Sequence, residues 1–80
     1  MKDTFSVLFF LKVSKAKSDG TVPIYVRITA NGSRSEVSIK RYILKERWNS
    51  SKGKAKGTNQ ESQSLNKYID IYRSKLYDAQ

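Results

Sequence analysis

Basic side chains that alternate with hydroxyl-bearing ones are the residues of this sequence with the clearest chemical potential. Arginine can form two parallel hydrogen bonds to a guanine or hold a phosphate, and tyrosine, threonine and serine can bond to the same groups. Such side chains occupy every second position from Tyr25 to Thr29 and, with Glu36 as the one acid, from Arg34 to Lys40. The candidate DNA-binding residues are therefore Lys12, Tyr25, Arg27, Thr29, Arg34, Ser38 and Lys40.

Lysines in two polar stretches are further candidates, for contacts with phosphates. Residues 14–21 carry Lys15 and Lys17, and residues 50–57 carry Lys52, Lys54 and Lys56. A lysine ammonium is a point charge on a flexible stem, so it adds affinity for phosphates but reads a base sequence poorly. The glycines of the second stretch do not predict a nucleotide-binding loop, because the spacing and the following Ser or Thr of a P-loop are missing.

The distribution of charge supports this interpretation. The chain has 80 residues, a net charge of +9 and a pI near 10. Residues 1–57 carry thirteen basic and four acidic side chains, whereas residues 58–80 carry three of each. A localised basic region is typical of nucleic-acid-binding domains. A merely basic soluble domain, or one that contacts an anionic membrane, is the alternative from charge alone.

The residue types that are missing exclude most catalytic and metal chemistry. There is no cysteine and no histidine, so disulfides, the usual zinc sites and Ser–His or Cys–His pairs cannot form. The seven carboxylates form no pair in the expected layout. We therefore expect a non-enzymatic chain with no catalytic site, no metal and no cofactor. The longest apolar run, Val7–Leu11, is far shorter than the ~20 residues that span a bilayer, so we expect no membrane partner and a cytoplasmic location.

Apolar alternation predicts strands over Thr4–Val13 and Val22–Ala30, and Asn31–Gly32 predicts a two-residue turn into a third strand. Either pairing begins after Pro23 or a bulge lies there. Counting outward from the turn gives the pairs Ala30–Ser33, Thr29–Arg34, Ile28–Ser35, Arg27–Glu36, Val26–Val37, Tyr25–Ser38 and Ile24–Ile39. This register places the aliphatic pairs on one face and the candidate DNA-binding side chains on the other.

The remaining chain predicts a connection followed by a helix. Residues 41–49 leave the sheet, with one helical turn around 45–48, and Trp48 is expected in the core because a small domain needs its one tryptophan for burial. Thr58 and Glu61 match a capping box, so a helix is predicted over about 58–78. Its apolar stripe consists of Leu65, Ile69, Tyr72 and Leu76, and its polar face carries Asn66, Lys67, Asp70, Arg73 and Lys75.

These elements predict a single α+β domain, a three-stranded antiparallel β-sheet with one face packed against a C-terminal α-helix. The expected boundaries are about 4–41 for the sheet, 42–57 for the connection and 58–78 for the helix. The other sheet face is then open to solvent. Leu8 and Phe10 share that open face by parity; either they pack under residues 42–48, which we favour, or they touch thymine methyls or sugars.

The order and spacing of several segments resemble a known family. Phe5–Lys12, Asp19–Thr29 and Asn31–Arg34 are similar to the N-terminal arm-type DNA-binding domain of tyrosine recombinases, especially integrases of Bacteroides mobile elements and conjugative transposons. Trp48–Asn49 and Gly53–Gly57, with Asn66 downstream, also fit. The resemblance covers nearly the whole chain.

The resemblance implies a sheet docked in the major groove of double-stranded DNA at arm-type sites, during integration and excision. It also implies that catalysis lies in a separate domain of a longer recombinase, so none of the tyrosines is assigned as a nucleophile. We expect the isolated domain to be monomeric and the parent protein to be bacterial and associated with the nucleoid. A protein-interaction module and an RNA-binding α+β domain remain the alternatives.

Overall fold

The computed structural model describes residues 5–79, which form two compact units. The N-terminal unit extends to Glu46 and the C-terminal unit begins at Arg47. The strands and the helix are β1 Phe5–Leu11, β2 Thr21–Ala30, β3 Ser33–Leu44, β4 Trp48–Asn49, β5 Lys54–Ala55 and α1 Gln60–Ala79. Single 3₁₀ turns at Val13–Lys15 and Lys45–Arg47 follow β1 and β3. The predicted α+β class, with a three-stranded antiparallel sheet and a C-terminal helix, is confirmed.

The sheet of the N-terminal unit has the order β1-β2-β3, with β2 in the centre. The turn between β2 and β3 has Asn31 at φ 52° and Gly32 at φ 86°, the left-handed conformations that a type I′ turn requires and that Asn and Gly tolerate best. From this turn the strands pair as predicted, from Ala30–Ser33 to Tyr25–Ser38. The predicted register is therefore confirmed over six pairs.

The register then shifts between Pro23 and Tyr25. Three consecutive residues of β3, Ile39 to Arg41, lie opposite Ile24 alone, and Lys40 takes up the excess with φ 64°. A bulge of this kind inserts residues into one strand and lets pairing resume beyond it. The predicted Ile24–Ile39 pair is therefore wrong.

The prediction that the chain leaves the sheet at Arg41 is also wrong. Beyond the bulge β3 pairs again with β2, as Tyr42–Pro23, Ile43–Val22 and Leu44–Thr21. Of the two alternatives given for Pro23, the bulge is the one observed, and its extra residues are in β3.

The inner face of the sheet carries the core of the N-terminal unit, and its most buried side chains are Phe9, Val22, Ile24, Val26 and Ile39. Alternation along β1 and β2 brings Phe9 opposite Val26. Val13, the last residue of the predicted first strand, is 52% exposed, because β1 ends at Leu11 and Val13 begins a 3₁₀ turn. The predicted first residue of that strand, Thr4, lies outside the described residues.

A short antiparallel hairpin forms much of the C-terminal unit where the sequence predicted only a loop. Trp48 pairs with Ala55 and Asn49 with Lys54, and the Gly53 N–H donates to the Asn49 carbonyl at 2.8 Å. Trp48 and Ala55 are buried, so the expected burial of Trp48 is confirmed. The hairpin was missed because two-residue strands carry too little alternation to be recognised.

The helix α1 begins at Gln60, two residues later than the predicted start at Thr58. The Asn59 carboxamide oxygen accepts the Ser62 N–H at 2.8 Å, the contact of an N-cap residue. Asn59, and not Thr58, is therefore the N-cap residue. The Ser62 hydroxyl donates to the Lys56 carbonyl at 2.7 Å, which ties the first turn of the helix to the preceding loop. Of the predicted stripe, Ile69 is fully buried, whereas Leu65, Tyr72 and Leu76 are half-buried.

Asn66 links the helix to the hairpin within the C-terminal unit. Its side-chain oxygen accepts the Ala55 N–H at 2.8 Å, and its side-chain nitrogen donates to the Ala55 carbonyl at 3.2 Å. A neighbouring strand would bond to both backbone groups of one residue in the same way. The sequence placed Asn66 on the polar helix face, but its side-chain amide bonds to the backbone N–H and carbonyl at the open edge of β5.

Replacing Gly32 tests the turn that sets the register. A Cβ at position 32 would meet no atom within 4 Å, so only backbone strain opposes a side chain there. We expect Gly32→Ala to lower the free energy of unfolding by about 1–2 kcal/mol and Gly32→Asn to lower it less, because Asn tolerates positive φ. Urea denaturation measures both. Equal stability of wild type and Gly32→Ala would contradict the assigned turn.

Replacing Asn66 tests the link between α1 and β5. Asn66→Ala leaves two backbone groups of Ala55 without their partner, and we expect a loss of about 1–3 kcal/mol in unfolding free energy. Asn66→Asp keeps the hydrogen-bond acceptor but not the donor, so its unfolding free energy should lie between those of wild type and Asn66→Ala. Lys67→Ala, at the exposed neighbouring position, is the control. If Asn66→Ala proved as stable as this control in urea denaturation, the link would contribute nothing.

Candidate nucleic-acid interface

The outer face of the sheet is the face opposite the buried core. Strand pairing arranges it in three rows, which are Ser6–Thr29–Arg34, Leu8–Arg27–Glu36 and Phe10–Tyr25–Ser38. Five of the predicted DNA-binding residues lie in these rows, because the confirmed register fixes their common side. The central strand β2 supplies the middle of each row.

Lys12 and Lys40, the other two predicted residues, are placed by less regular backbone. Lys12 follows β1, and its N–H donates to the Pro23 carbonyl at 3.0 Å, which keeps it beside β2. Lys40 lies in the bulge and is exposed, and its N–H donates to the Ser38 hydroxyl at 3.1 Å. Because the bulge interrupts alternation, the position of Lys40 does not follow from period two.

Glu36 is the acid of this surface and joins two of its cations. Its Oε1 accepts the Lys12 ammonium at 2.7 Å, and its Oε2 accepts Nε and Nη2 of Arg27 at 3.1 and 2.9 Å. The bonds from Lys12 and then from Arg27 hold the pKa of Glu36 below its ordinary value. The sequence predicted the Arg27–Glu36 pair, whereas Lys12 reaches Glu36 across the intervening strand.

Aromatic rings lie beneath the same cations. The Arg27 guanidinium is 5.0 Å from the centre of the Phe10 ring, and the Lys12 ammonium is 4.9 Å from that of Tyr25. The Lys17 ammonium lies 3.9 Å from the Tyr42 ring centre. Such cation–π contacts orient a charged group while leaving part of it exposed. Sequence reasoning missed Tyr42, because it assigned residue 42 to the connection outside the sheet.

The apolar residues of the outer face are partly open. Leu8 is 48% exposed, so its expected cover by residues 42–48 is not found. Phe10 is half-buried and lies 6.3 Å from Tyr25 between ring centres. An exposed aliphatic side chain beside arginine can contact a thymine methyl. Such a contact was the alternative hypothesis for Leu8 and Phe10.

The loop between β1 and β2 is held in place by a turn at Asp19. The Asp19 carboxylate accepts the Thr21 hydroxyl at 2.6 Å and the Thr21 N–H at 2.9 Å, and these bonds lower the pKa of Asp19. The Lys17 N–H donates to the Thr21 carbonyl at 2.8 Å. Lys17 and Lys15, predicted to contact phosphates, are thereby tethered near the rim of the outer face; the Lys15 ammonium is 5.8 Å from the Tyr25 ring centre.

The other predicted phosphate-binding lysines belong to the C-terminal unit. Lys52, Lys54 and Lys56 are exposed there, and Lys52 and Lys54 line a cavity of about 410 Å³ together with Asn66, Ile69, Asp70 and Arg73. Arg73 donates to the Asp70 carboxylate at 3.3 Å.

Two further kinds of function, metal binding and membrane spanning, were tested on the part of the chain that the structure describes. Among residues 5–79 no group of three or more acidic side chains could hold a metal ion. Within the same residues, no helix is long and apolar enough to cross a membrane.

An exposed sheet face with cations over aromatic rings, on a chain of pI near 10, is typical of a small nucleic-acid-binding module. A family model described as an arm DNA-binding domain matches residues 9–80, so the chain belongs to the arm DNA-binding domain family. This arm-type domain is found in tyrosine recombinases and integrases, binds DNA and is non-catalytic. The recognition made from the sequence is thereby confirmed. Comparison with curated proteins and with solved structures found no match.

Lowering the pH tests the ion pairs of Glu36. Because the fold holds the pKa of Glu36 below the ordinary 4.5, the ion pairs stabilise the fold above that pH and are lost as the pH falls through the lowered value. We expect wild type to exceed Glu36→Gln in unfolding free energy at neutral pH, and the difference to vanish in acid. Glu46→Gln, at an exposed carboxylate outside these pairs, is the control. A difference that is independent of pH would contradict the assignment.

Proposed function

We propose that the chain binds double-stranded DNA at the arm-type sites of a tyrosine recombinase, with the outer face of its sheet in the major groove. The observation that carries the proposal is the outer face itself, where Lys12 and Arg27 are held over aromatic rings on an exposed surface. Membership of the arm DNA-binding domain family supports DNA as the ligand.

The dimensions of B-DNA favour the sheet as the contact element. The major groove is about 12 Å wide and admits a two-stranded β-ribbon. In this domain β2 and β3 form such a ribbon as a twelve-residue strand paired with a ten-residue one. Arg27, Thr29 and Arg34 then point into the groove from adjacent positions, with Tyr25 and Ser38 in the neighbouring row.

The lysines around this face supply contacts with phosphates. Lys15 and Lys17 extend from the β1–β2 loop, and Lys40 extends from the bulge. Each is exposed, and none is needed to read a base. Lys52, Lys54 and Lys56 of the C-terminal unit contribute further phosphate contacts, which are independent of the sheet.

Membership of the arm DNA-binding domain family supports the biological setting that we propose. The parent protein is a bacterial tyrosine recombinase of a mobile element or conjugative transposon, acting in integration and excision beside the nucleoid. Its catalytic residues lie elsewhere in the recombinase chain, and this domain binds as a monomer.

An NMR titration with mixed-sequence duplex DNA tests the binding surface. We expect perturbations at the outer face and at Lys15 and Lys17, and weaker binding to an RNA duplex, whose major groove is too deep and narrow for side chains to read. Engagement of about five phosphates would give a log–log salt slope near −4 to −5. Perturbations confined to α1, or binding insensitive to salt, would refute the proposal and favour a protein-interaction module.

Arginine substitutions test the individual contacts. Arg27→Ala and Arg34→Ala should each weaken DNA binding while the domain remains folded, because both side chains lie on the exposed face. Fluorescence anisotropy measures affinity, and circular dichroism checks the fold. Lys67→Ala removes one positive charge from the exposed side of α1 and is the matched control. Unchanged affinity in both arginine variants would remove the outer face from the interface.

A further inference from the structure

We propose that Arg27 reads a guanine and that Glu36 is the positioning residue that presents it. The inference rests on the proposed function and deepens it, because it divides the outer face into a part that reads bases and a part that contacts phosphates. Its observations are the ion pairs of Glu36, the ring beneath Arg27 and the position of both residues in one row.

The hydrogen bonds of Arg27 leave available the edge of its guanidinium that can bond to a guanine. Arginine has five N–H donors in a rigid fork. Nε and Nη2 each donate to Glu36 Oε2, so the described contacts use the side edge of the fork. One hydrogen of Nη1 and the second hydrogen of Nη2 form the end edge, and no described contact uses them. That edge matches O6 and N7 of guanine, which accept two parallel hydrogen bonds.

The Arg27 side chain is also held before any ligand arrives. The carboxylate of Glu36 fixes one edge, and the Phe10 ring lies under the guanidinium at 5.0 Å. About a third of the side chain, 35%, remains exposed. Ordering an arginine on binding costs conformational entropy, so an arginine already ordered loses less of it and discriminates more sharply.

The charge of Glu36 makes phosphate an unsuitable ligand for this part of the face. The lowered pKa of Glu36 means that its carboxylate is ionised at neutral pH. A carboxylate repels a DNA phosphate, but it tolerates a base edge and can accept the N4 amino group of a cytosine. Lys12, Arg27 and Glu36 together carry one net positive charge on a surface otherwise rich in cations. The centre of the face is therefore matched to a G·C base pair.

Arg34 provides the contrast on the same face. It lies in the row of Thr29, outside the ion pairs of Glu36, and it is exposed near the β2–β3 turn. An arginine without that carboxylate is suited to a phosphate. The two arginines thus have the same chemistry in different surroundings, which makes them a matched pair for substitution.

Selection from a randomised DNA duplex library tests the inference with the whole chain. We expect wild type to enrich sites with a fixed G·C pair, and Arg27→Ala to lose the preference at that one position, by about ten- to hundredfold. Arg27→Lys should lose it too, because lysine keeps the charge but lacks the fork. Arg34→Ala should weaken binding to all sequences and keep the selected motif.

Glu36→Gln separates positioning from charge. Removing the carboxylate should strengthen binding to unselected DNA, since a repulsive charge is lost, and should lower discrimination at the G·C position. Glu46→Gln, which removes one negative charge outside the ion pairs of Glu36, serves as the control for the lost carboxylate, and thermal unfolding shows that each variant is folded.

The outcomes separate this inference from the proposed function. Failure of wild type to bind any duplex would overturn both. Duplex binding without sequence preference, or an unchanged motif in folded Arg27→Ala or Arg27→Lys, would overturn the inference alone. Loss of a single position in Arg34→Ala, with Arg27→Ala unchanged, would assign the reading role to Arg34 instead.

Discussion

The Asn31–Gly32 turn fixes the register between β2 and β3, and most of the outer face depends on that constraint. Side chains alternate across a strand, so a shift of β3 by one residue relative to β2 would move Arg34, Glu36 and Ser38 to the core side. With the register set, Arg27 lies opposite Glu36 and Tyr25 opposite Ser38. The aliphatic partners Ile24 and Val26 are then buried without further adjustment. One backbone conformation thus separates the core face of the sheet from its outer face.

The charges on the outer face combine attraction for phosphates with a fixed position of the cationic side chains. A surface of cations alone would attract phosphates but would leave long side chains mobile. Glu36 removes one unit of positive charge and in return orders Lys12 and Arg27, which also lie over Tyr25 and Phe10. Exposed ion pairs of this kind add little to stability, so their value lies in the geometry that they impose on the cations.

The need to satisfy backbone hydrogen-bonding groups explains the less regular parts of the C-terminal unit. In the C-terminal unit a two-residue strand has no neighbour on one side, and the Asn66 carboxamide bonds to the Ala55 backbone in place of a strand. The cap at Asn59 satisfies the first turn of α1 in a similar way. In each case a polar side chain of ordinary appearance in the sequence is committed to the backbone, because buried N–H and C=O groups require partners.

The sequence by itself determined the fold class, the register near the turn and the absence of histidine and cysteine chemistry, since these depend on local turn preference, period two and residue type. Only the tertiary structure decided where the regular register ends. The bulge at Lys40 and the return of β3 to β2 as far as Leu44 depend on backbone geometry that no alternation encodes. The contacts of Lys12 with Glu36 and of Asn66 with Ala55 join residues far apart in the chain, so they exist only once the chain has folded.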